Sequence, residues 1–159
     1  MQSAARIALV RLILSQRWAA LATSRGDEPY ASMVAYVAEP DLGGILLHLS
    51  RLARHTRNVL HNPRGGLVIS TADPGDGDPQ TLPRASIQGA VQLLTRDASD
   101  YTAARALYIA RFPDAAPRFA FGDFELFRLL PEHTRYVAGF GQTYTLAASQ
   151  LRAVAEHPG

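Results

Sequence analysis

The sequence contains no cysteine and no lysine, so all 16 of its basic residues are arginines. The absence of cysteine excludes disulfides, thiolate catalysis and Cys-ligated zinc or iron–sulfur sites. The absence of lysine excludes a Schiff base with pyridoxal phosphate or with a carbonyl substrate. Any redox chemistry in this protein therefore has to come from a bound cofactor.

The sequence also has no apolar run of the ~20 residues that a bilayer-spanning helix requires. Arg6, Arg11 and Gln16 interrupt the apolar N-terminal segment, which predicts an amphipathic helix rather than a signal peptide. The net charge of +2 is too small to indicate a nucleic-acid surface. With 159 residues, 47% of them hydrophobic, we expect a single domain over 1–159 that is cytoplasmic and has no membrane or nucleic-acid partner.

Short strands at hairpin spacing dominate the pattern of hydrophobic residues. In segment 84–94, Ala85, Ile87 and Val91 alternate with polar Ser86 and Gln88, which is typical of a strand with one buried face. The absence of both G-x-G-x-x-G after a strand and a P-loop disfavours the parallel-sheet nucleotide folds. We predict an α+β fold, an antiparallel β-barrel with flanking helices. The predicted strands are 18–23, 29–38, 45–49, 67–71, 84–94, 123–130, 134–138 and 143–146, with helices at 51–61 and 99–111 and a loop at 72–83.

The most informative segment is 32–63, SMVAYVAEPDLGGILLHLSRLARHTRNVLHNP, which reads as strand, turn, strand and then a basic helix. Ser50 is a good N-cap residue for that helix. Arginines beside the free amides of a helix N-terminus form a suitable site for a phosphate. We therefore predict an anion site at the start of this helix. A helical projection puts Arg51, Arg54, His55 and Asn58 on one face and Leu52, Ala53, Thr56, Val59 and Leu60 on the other.

Five histidines occur in the sequence, without the H-E-x-x-H motif and without a pair at i, i+4. This pattern disfavours a zinc site, and we predict no metal site built from several side chains. A haem ligand needs only one histidine, so spacing does not exclude haem. The chain also lacks G-x-S-x-G, which disfavours a hydrolase.

Four pieces of the sequence together resemble the pyridoxamine 5'-phosphate oxidase-like FMN-binding split-barrel superfamily, and most closely its haem-utilisation (HugZ-like) branch. These pieces are PYASMVAY at 29–36, DLGGILLHLSRLARHTRN at 41–58, PRASIQGAV at 83–91, and DFELFRL with YVAGFGQ at 123–129 and 136–142. The resemblance implies a six-stranded split barrel that forms a homodimer, with FMN at the interface between the subunits and a small-molecule substrate. It implies no catalytic residue that we can name.

The same resemblance implies where the cofactor lies. Ser32, Met33 and Val34 would run along the flavin ring. The phosphate and ribityl end would contact Leu49, Ser50, Arg54, His55 and Asn58, and Arg84 with Gln88 would approach from the other side.

Three functions follow as hypotheses. The first is an FMN-binding flavoprotein, an oxidoreductase whose substrate the sequence does not identify. The second is a haem-binding or haem-degrading protein on the same fold, and the third is a non-catalytic binding module. The sequence lacks the Arg-x-His signature near the C-terminus of pyridoxamine phosphate oxidases, which disfavours that activity. Haem-degrading members of the branch ligate iron through a histidine near the C-terminus of a further domain, whereas this sequence ends two residues after His157.

Overall fold

A single antiparallel sheet of eight strands and four flanking α-helices make up the fold in this computed structural model, which describes residues 1–157. The helices are α1 (Ser3–Ser15), α2 (Arg54–His61), α3 (Tyr101–Arg111) and α4 (Ala148–Glu156). The strands are β1 (Trp18–Arg25), β2 (Glu28–Ala35), β3 (Val37–Ala38), β4 (Ile45–Ser50), β5 (Arg64–Ser70), β6 (Arg84–Leu93), β7 (Phe124–Gly139) and β8 (Gln142–Ala147).

The strand order in the sheet is β2-β1-β5-β6-β7-β4-β3, and β8 pairs with the second half of β7. Because β2 leads almost directly into β3 at the far edge, the sheet curls back on itself and encloses a core. This confirms the predicted antiparallel barrel with flanking helices, with eight strands where the family resemblance implied six. Within residues 1–157, no helix combines the length and apolar character needed to cross a bilayer.

The core lies on the concave face of the sheet and is closed at one end by α1. Leu9, Leu12 and Ile13 of α1 are buried in it, and the Tyr36 hydroxyl donates a hydrogen bond of 2.8 Å to the carbonyl oxygen of Ile13. The predicted alternation in β6 is confirmed, since Ala85, Ile87, Gly89 and Val91 are buried. A second, smaller core lies under α3. Its members are Val37, Leu46, Leu94, Ala104, Tyr108, Ala115, Phe119 and Leu126.

The predicted break between strands 123–130 and 134–138 is wrong, because β7 runs through Pro131 without interruption. Gly89 pairs with Pro131 while Gln88 pairs with His133, so Glu132 is the extra residue of a β-bulge. Proline has no backbone N–H to donate to a neighbouring strand. At a bulge that hydrogen bond is not required, which is why this strand tolerates a proline. The bulge lets β7 bend and pair with β6 and β8 in its second half.

Candidate functional site

The basic helix begins later than the sequence predicts, at Arg54 rather than after Ser50. Ser50 is therefore not its N-cap. The Ser50 hydroxyl donates to Oδ2 of Asp123 at 2.6 Å and accepts from the amide of Leu52 at 3.1 Å, which closes a tight turn before the helix. The residue at the cap position is Ala53, whose side chain has no acceptor. The first amides of α2 consequently have neither an intrahelical partner nor a side-chain cap, which leaves them available to an anion.

The two faces of α2 also differ from the helical projection. Leu52 and Leu60 are exposed, whereas Asn58 is buried with Thr56 and Val59. The side-chain amide of Asn58 donates to Oγ1 of Thr23 on β1 at 3.0 Å. The buried side of α2 is thus partly polar, and a specific hydrogen bond fixes the helix against the β1–β2 hairpin. Asn62 adds a second such bond to Ser24.

Ser32 and His55 meet beneath the start of α2. Oγ of Ser32 lies 3.1 Å from Nδ1 of His55, so β2 and α2 are joined through these side chains. Burial lowers the pKa of His55, because the charged imidazolium loses solvation at this half-buried position. His55 is therefore a neutral ring at pH 7 that one hydrogen bond holds in a defined orientation.

Arg54 lies at the mouth of the same cluster. Its guanidinium is 3.1 Å from Oε2 of Glu28 and lies over the ring of Tyr30, with Cζ 4.8 Å from the ring centroid. Arg51 is paired in the same way with Glu125 at 2.8 Å. Exposed ion pairs of this kind contribute only about 0–1 kcal/mol, so a doubly charged phosphate can displace a single carboxylate. The helix start retains its capacity to bind an anion.

Of the predicted cofactor contacts, Val34 and Leu49 can reach a ligand outside the core only with their backbone atoms. The side chains of Val34 and Leu49 are buried in the barrel core, while Met33 points the opposite way and is 48% exposed. Successive residues of a strand face opposite sides of the sheet, so Ser32 and Met33 cannot present their side chains to the same face. A ligand that touches both has to lie along the edge of β2.

Arg84 and Gln88 lie on β6, at a distance from Ser32 on β2 within one chain. Strands β1 and β5 separate β2 from β6, and three strand spacings of ~4.8 Å place Gln88 about 14 Å from β2. Arg84 donates to the carbonyl oxygens of Gln80 at 2.8 Å and Leu82 at 3.2 Å, which ties it to its own loop. Gln88 instead lines a cleft with Thr23 and Ser24 of β1, and Arg84 stays at the base of its own loop.

The convex side of the sheet carries a surface that the sequence reading missed, which we call the outer face. Directly opposed residues in antiparallel strands share a face, so the strand registers define two rows across it. One row has small and polar members and reaches His133 on β7, and the other reaches Arg135 on the same strand; β8 continues them with Ala147 and Thr145. The rows are Ala31, Ala22, Gly66, Gln88 and His133, and Met33, Ala20, Val68, Ser86 and Arg135.

Large apolar side chains are exposed on this outer face. Trp18 is 57% exposed, Met33 48% and Val68 41%. Beside them, Ala22, Gly66 and Gln88 form the floor of a shallow cleft of about 360 Å³, and His133 with Arg135 lines a second depression next to it. Several exposed apolar side chains on neighbouring strands of one face are consistent with an interaction surface. The sequence signal for this outer face is the alternation of buried and exposed residues along β1, β5 and β7.

His48 is a buried histidine outside both of these surfaces. Its ring stacks on Phe119 with a centroid distance of 3.8 Å, and its Nε2 has no hydrogen-bond partner within residues 1–157. Burial, together with the positive charge of Arg118, lowers the pKa of His48 to about 4. His48 is therefore a neutral core residue, enclosed by aromatic rings.

This buried histidine should make the protein less stable in mild acid. Between pH 6.5 and 4 the unfolded chain binds a proton at His48 that the folded chain does not, so stability falls as the pH falls through this window. The expected loss is at most about 3 kcal/mol. Urea unfolding at pH 7 and pH 4.5 measures it, with His48→Phe as the control that keeps the ring stack. Equal pH dependence in both proteins would contradict this role.

The curled antiparallel sheet, with α2 packed against its β1–β2 hairpin, defines a split β-barrel of the pyridoxamine 5'-phosphate oxidase-like class. More particularly, the family model described as "CREG, beta-barrel" matches residues 1–151, and the chain belongs to this family. The resemblance to the haem-utilisation branch is confirmed by the relatives that follow.

Three relatives illustrate the likeness. The chain is 35% identical over 116 residues to the non-canonical haem oxygenase HOZ of Arabidopsis thaliana chloroplasts. The aligned residues make up 73% of this chain but only 34% of that protein. It is 27% identical over 124 residues to the haem oxygenase HutZ of Vibrio cholerae, covering 77% of this chain and 69% of the other. A haem-binding protein from Mycobacterium smegmatis has the same fold, with a TM-score of 0.81 at 24% identity over 96% of this chain and 61% of that one.

Proposed function

We propose that this protein binds haem on the outer face of its sheet and that it degrades haem when a reductant and dioxygen are supplied. The likeness to two haem oxygenases, over 73% and 77% of this chain, carries the proposal. The structure supports it because the outer face combines exposed apolar side chains with an imidazole and a guanidinium.

The residues of the outer face fit the chemistry of haem. A porphyrin needs a flat apolar surface, which Met33 and Val68 offer beside the small residues Ala22 and Gly66. Arg135, exposed on β7, is suited to a propionate. His133 is exposed on the same face and is our candidate for the iron ligand. Bound haem would supply the iron at which dioxygen reacts, while these side chains orient it and exclude water.

A second copy of the chain would complete the site. One outer face leaves the other side of a porphyrin in water, whereas two apolar faces packed together would enclose it. We therefore propose a homodimer with the cofactor between its subunits.

Titration of the purified protein with haem tests this function. We expect a Soret band that is sharper than that of free haem and shifted from it, and that saturates with added haem. We expect His133→Ala to change the position of this band and to weaken haem binding at least tenfold through loss of the iron ligand. His61→Ala, at the exposed end of α2, is the matched control and should leave the spectrum unchanged. A Soret band that stays identical to that of free haem contradicts haem binding, and loss of the shifted band only in His157→Ala would contradict the assignment to His133.

FMN is a second candidate because of the cluster of Ser32, Arg54 and His55 beside the uncapped start of α2. The residues fit the phosphate of FMN, with a guanidinium at the mouth and free amides behind it. An oxidoreductase reaction would then depend on the flavin, which supplies the redox chemistry. This proposal concerns the α2 cluster and does not use His133.

Changing this cluster should weaken FMN binding. A charge-assisted hydrogen bond to phosphate contributes ~1.5–3 kcal/mol, so Arg54→Ala with His55→Ala should raise the Kd for FMN at least tenfold. Quenching of flavin fluorescence measures this Kd. Arg57→Ala, an exposed arginine on the same helix, is the control and should have little effect. An unchanged Kd in the double variant would place the phosphate elsewhere, and binding of neither FMN nor haem would leave the non-catalytic module as the remaining hypothesis.

A further inference from the structure

A groove of about 570 Å³ lies between α1 and the ends of the strands where the loop after β5 begins. Small side chains of α1, Ala4, Ala8 and Ser15, leave space along the helix. Thr71 and Pro83, at the base of the loop, form the opposite wall. None of the residues in the two rows of the outer face lines this groove, so it is separate from the proposed haem surface.

Two hydroxyl groups border the groove without protein partners. Oγ1 of Thr71 is buried and makes no hydrogen bond within residues 1–157. Tyr136 is only 1% exposed, and no hydrogen bond in this part of the chain uses its hydroxyl. By contrast, Tyr36 in the same core donates to the carbonyl oxygen of Ile13. Buried polar groups are ordinarily paired, so the unpaired hydroxyl of Thr71 offers hydrogen-bonding capacity at the wall of the groove that the protein itself does not use.

The charge at the rim indicates the kind of ligand. Arg11 lines the groove, and among residues 1–157 it has no carboxylate within ion-pair distance. Ile7 and Leu12 add apolar surface on the same side of α1. An apolar channel with a cation at its rim and hydroxyls at its wall matches an amphipathic anion, and its volume is in the range of small-molecule sites.

We propose that this groove is a binding site for a small monocarboxylic acid with an aliphatic body. The carboxylate would pair with Arg11 and accept hydrogen bonds from the hydroxyls of Tyr136 and Thr71, and the hydrocarbon would lie along Ala4, Ala8 and Ile7. The site does not depend on the proposed haem function and does not require a second copy of the chain.

Isothermal titration of the full chain with decanoate tests the proposal. We expect saturable binding in the wild type, about tenfold weaker binding in both Arg11→Gln and Tyr136→Phe, and no binding in Ala8→Phe, whose ring would fill the groove. Ala106→Phe, at an exposed position of α3 outside the groove, is the matched control and should bind like the wild type. Thermal melts establish that each variant is folded.

Two results would overturn the proposal. A wild-type protein that does not bind decanoate overturns the proposal. Unchanged binding in a folded Ala8→Phe variant also overturns it, because the ligand would then lie elsewhere. Haem titration of Ala8→Phe should give the wild-type Soret band, so a failure of this site and a failure of the haem function can be told apart.

Discussion

Replacing Gly89 with alanine should lower the free energy of unfolding by about 3 kcal/mol or more. A Cβ atom at this position would lie 1.8 Å from the carbonyl oxygen of Leu130 and 2.8 Å from its carbonyl carbon. Both are backbone atoms next to the bulge at Pro131, so no side chain can rotate away to make room. Since domains of this size are stable by only about 5–15 kcal/mol, a loss of this magnitude is a large fraction of the total.

Gly66→Ala is the matched control for this substitution. Gly66 lies on β5, and a Cβ there would come no closer than 3.8 Å to its neighbours, which is ordinary van der Waals contact. Urea unfolding of the two variants and the wild type gives the comparison, and we expect Gly66→Ala to differ from the wild type by less than about 1 kcal/mol. Equal stabilities of the two variants would contradict the close approach of β6 and β7 at the bulge.

Placing two carboxylates on the outer face should abolish tight haem binding. Burial of an apolar side chain of the size of Met33 or Val68 contributes ~1.5–3 kcal/mol, so the double variant Met33→Asp with Val68→Asp should lose at least a hundredfold in haem affinity. The negative charges would also oppose the propionates and the packing of two copies. Haem titration measures the affinity, and sedimentation measures the dimer.

Leu52→Asp provides the control for that double variant. Leu52 is 77% exposed and lies in the turn before α2, away from the outer face, so this substitution adds a carboxylate at another exposed apolar position. We expect its haem affinity to match that of the wild type. If the double variant also binds haem like the wild type, the outer face is not the haem surface.

The barrel could be predicted from the sequence because its strands are indicated by local patterns of hydrophobic residues. The alternation in β6 follows directly from burial on one side of a strand, and the structure confirms it. The N-terminal helix is also confirmed, although only Leu9, Leu12 and Ile13 are buried in the core and Ile7 and Leu14 are exposed. The turn at Pro131 was predicted wrongly because proline usually ends a strand, and only the pairing with Gly89 shows that a bulge accommodates it. That pairing joins residues about forty positions apart, and no local rule contains it.

The site was harder to predict because its geometry depends on contacts between distant elements. Ser50 has the right chemistry for an N-cap, yet Asp123 competes for its hydroxyl and the helix starts later. Asn58 was assigned to the polar face, but Thr23 offers it a buried partner. Ser32 and His55, far apart in the sequence, are joined by a hydrogen bond. His133 and Arg135 share a face of β7 by simple alternation, but only the strand registers place them beside Gln88 and Ser86.

Native mass spectrometry of the haem-loaded protein tests the central claim most directly, since it reports the haem and the number of chains in the same species. We predict that haem is found in complexes of two chains, and that Met33→Asp with Val68→Asp yields single chains without haem. Haem retained by single wild-type chains, or wild-type dimers that carry no haem after loading, would contradict the proposal that two outer faces enclose the cofactor.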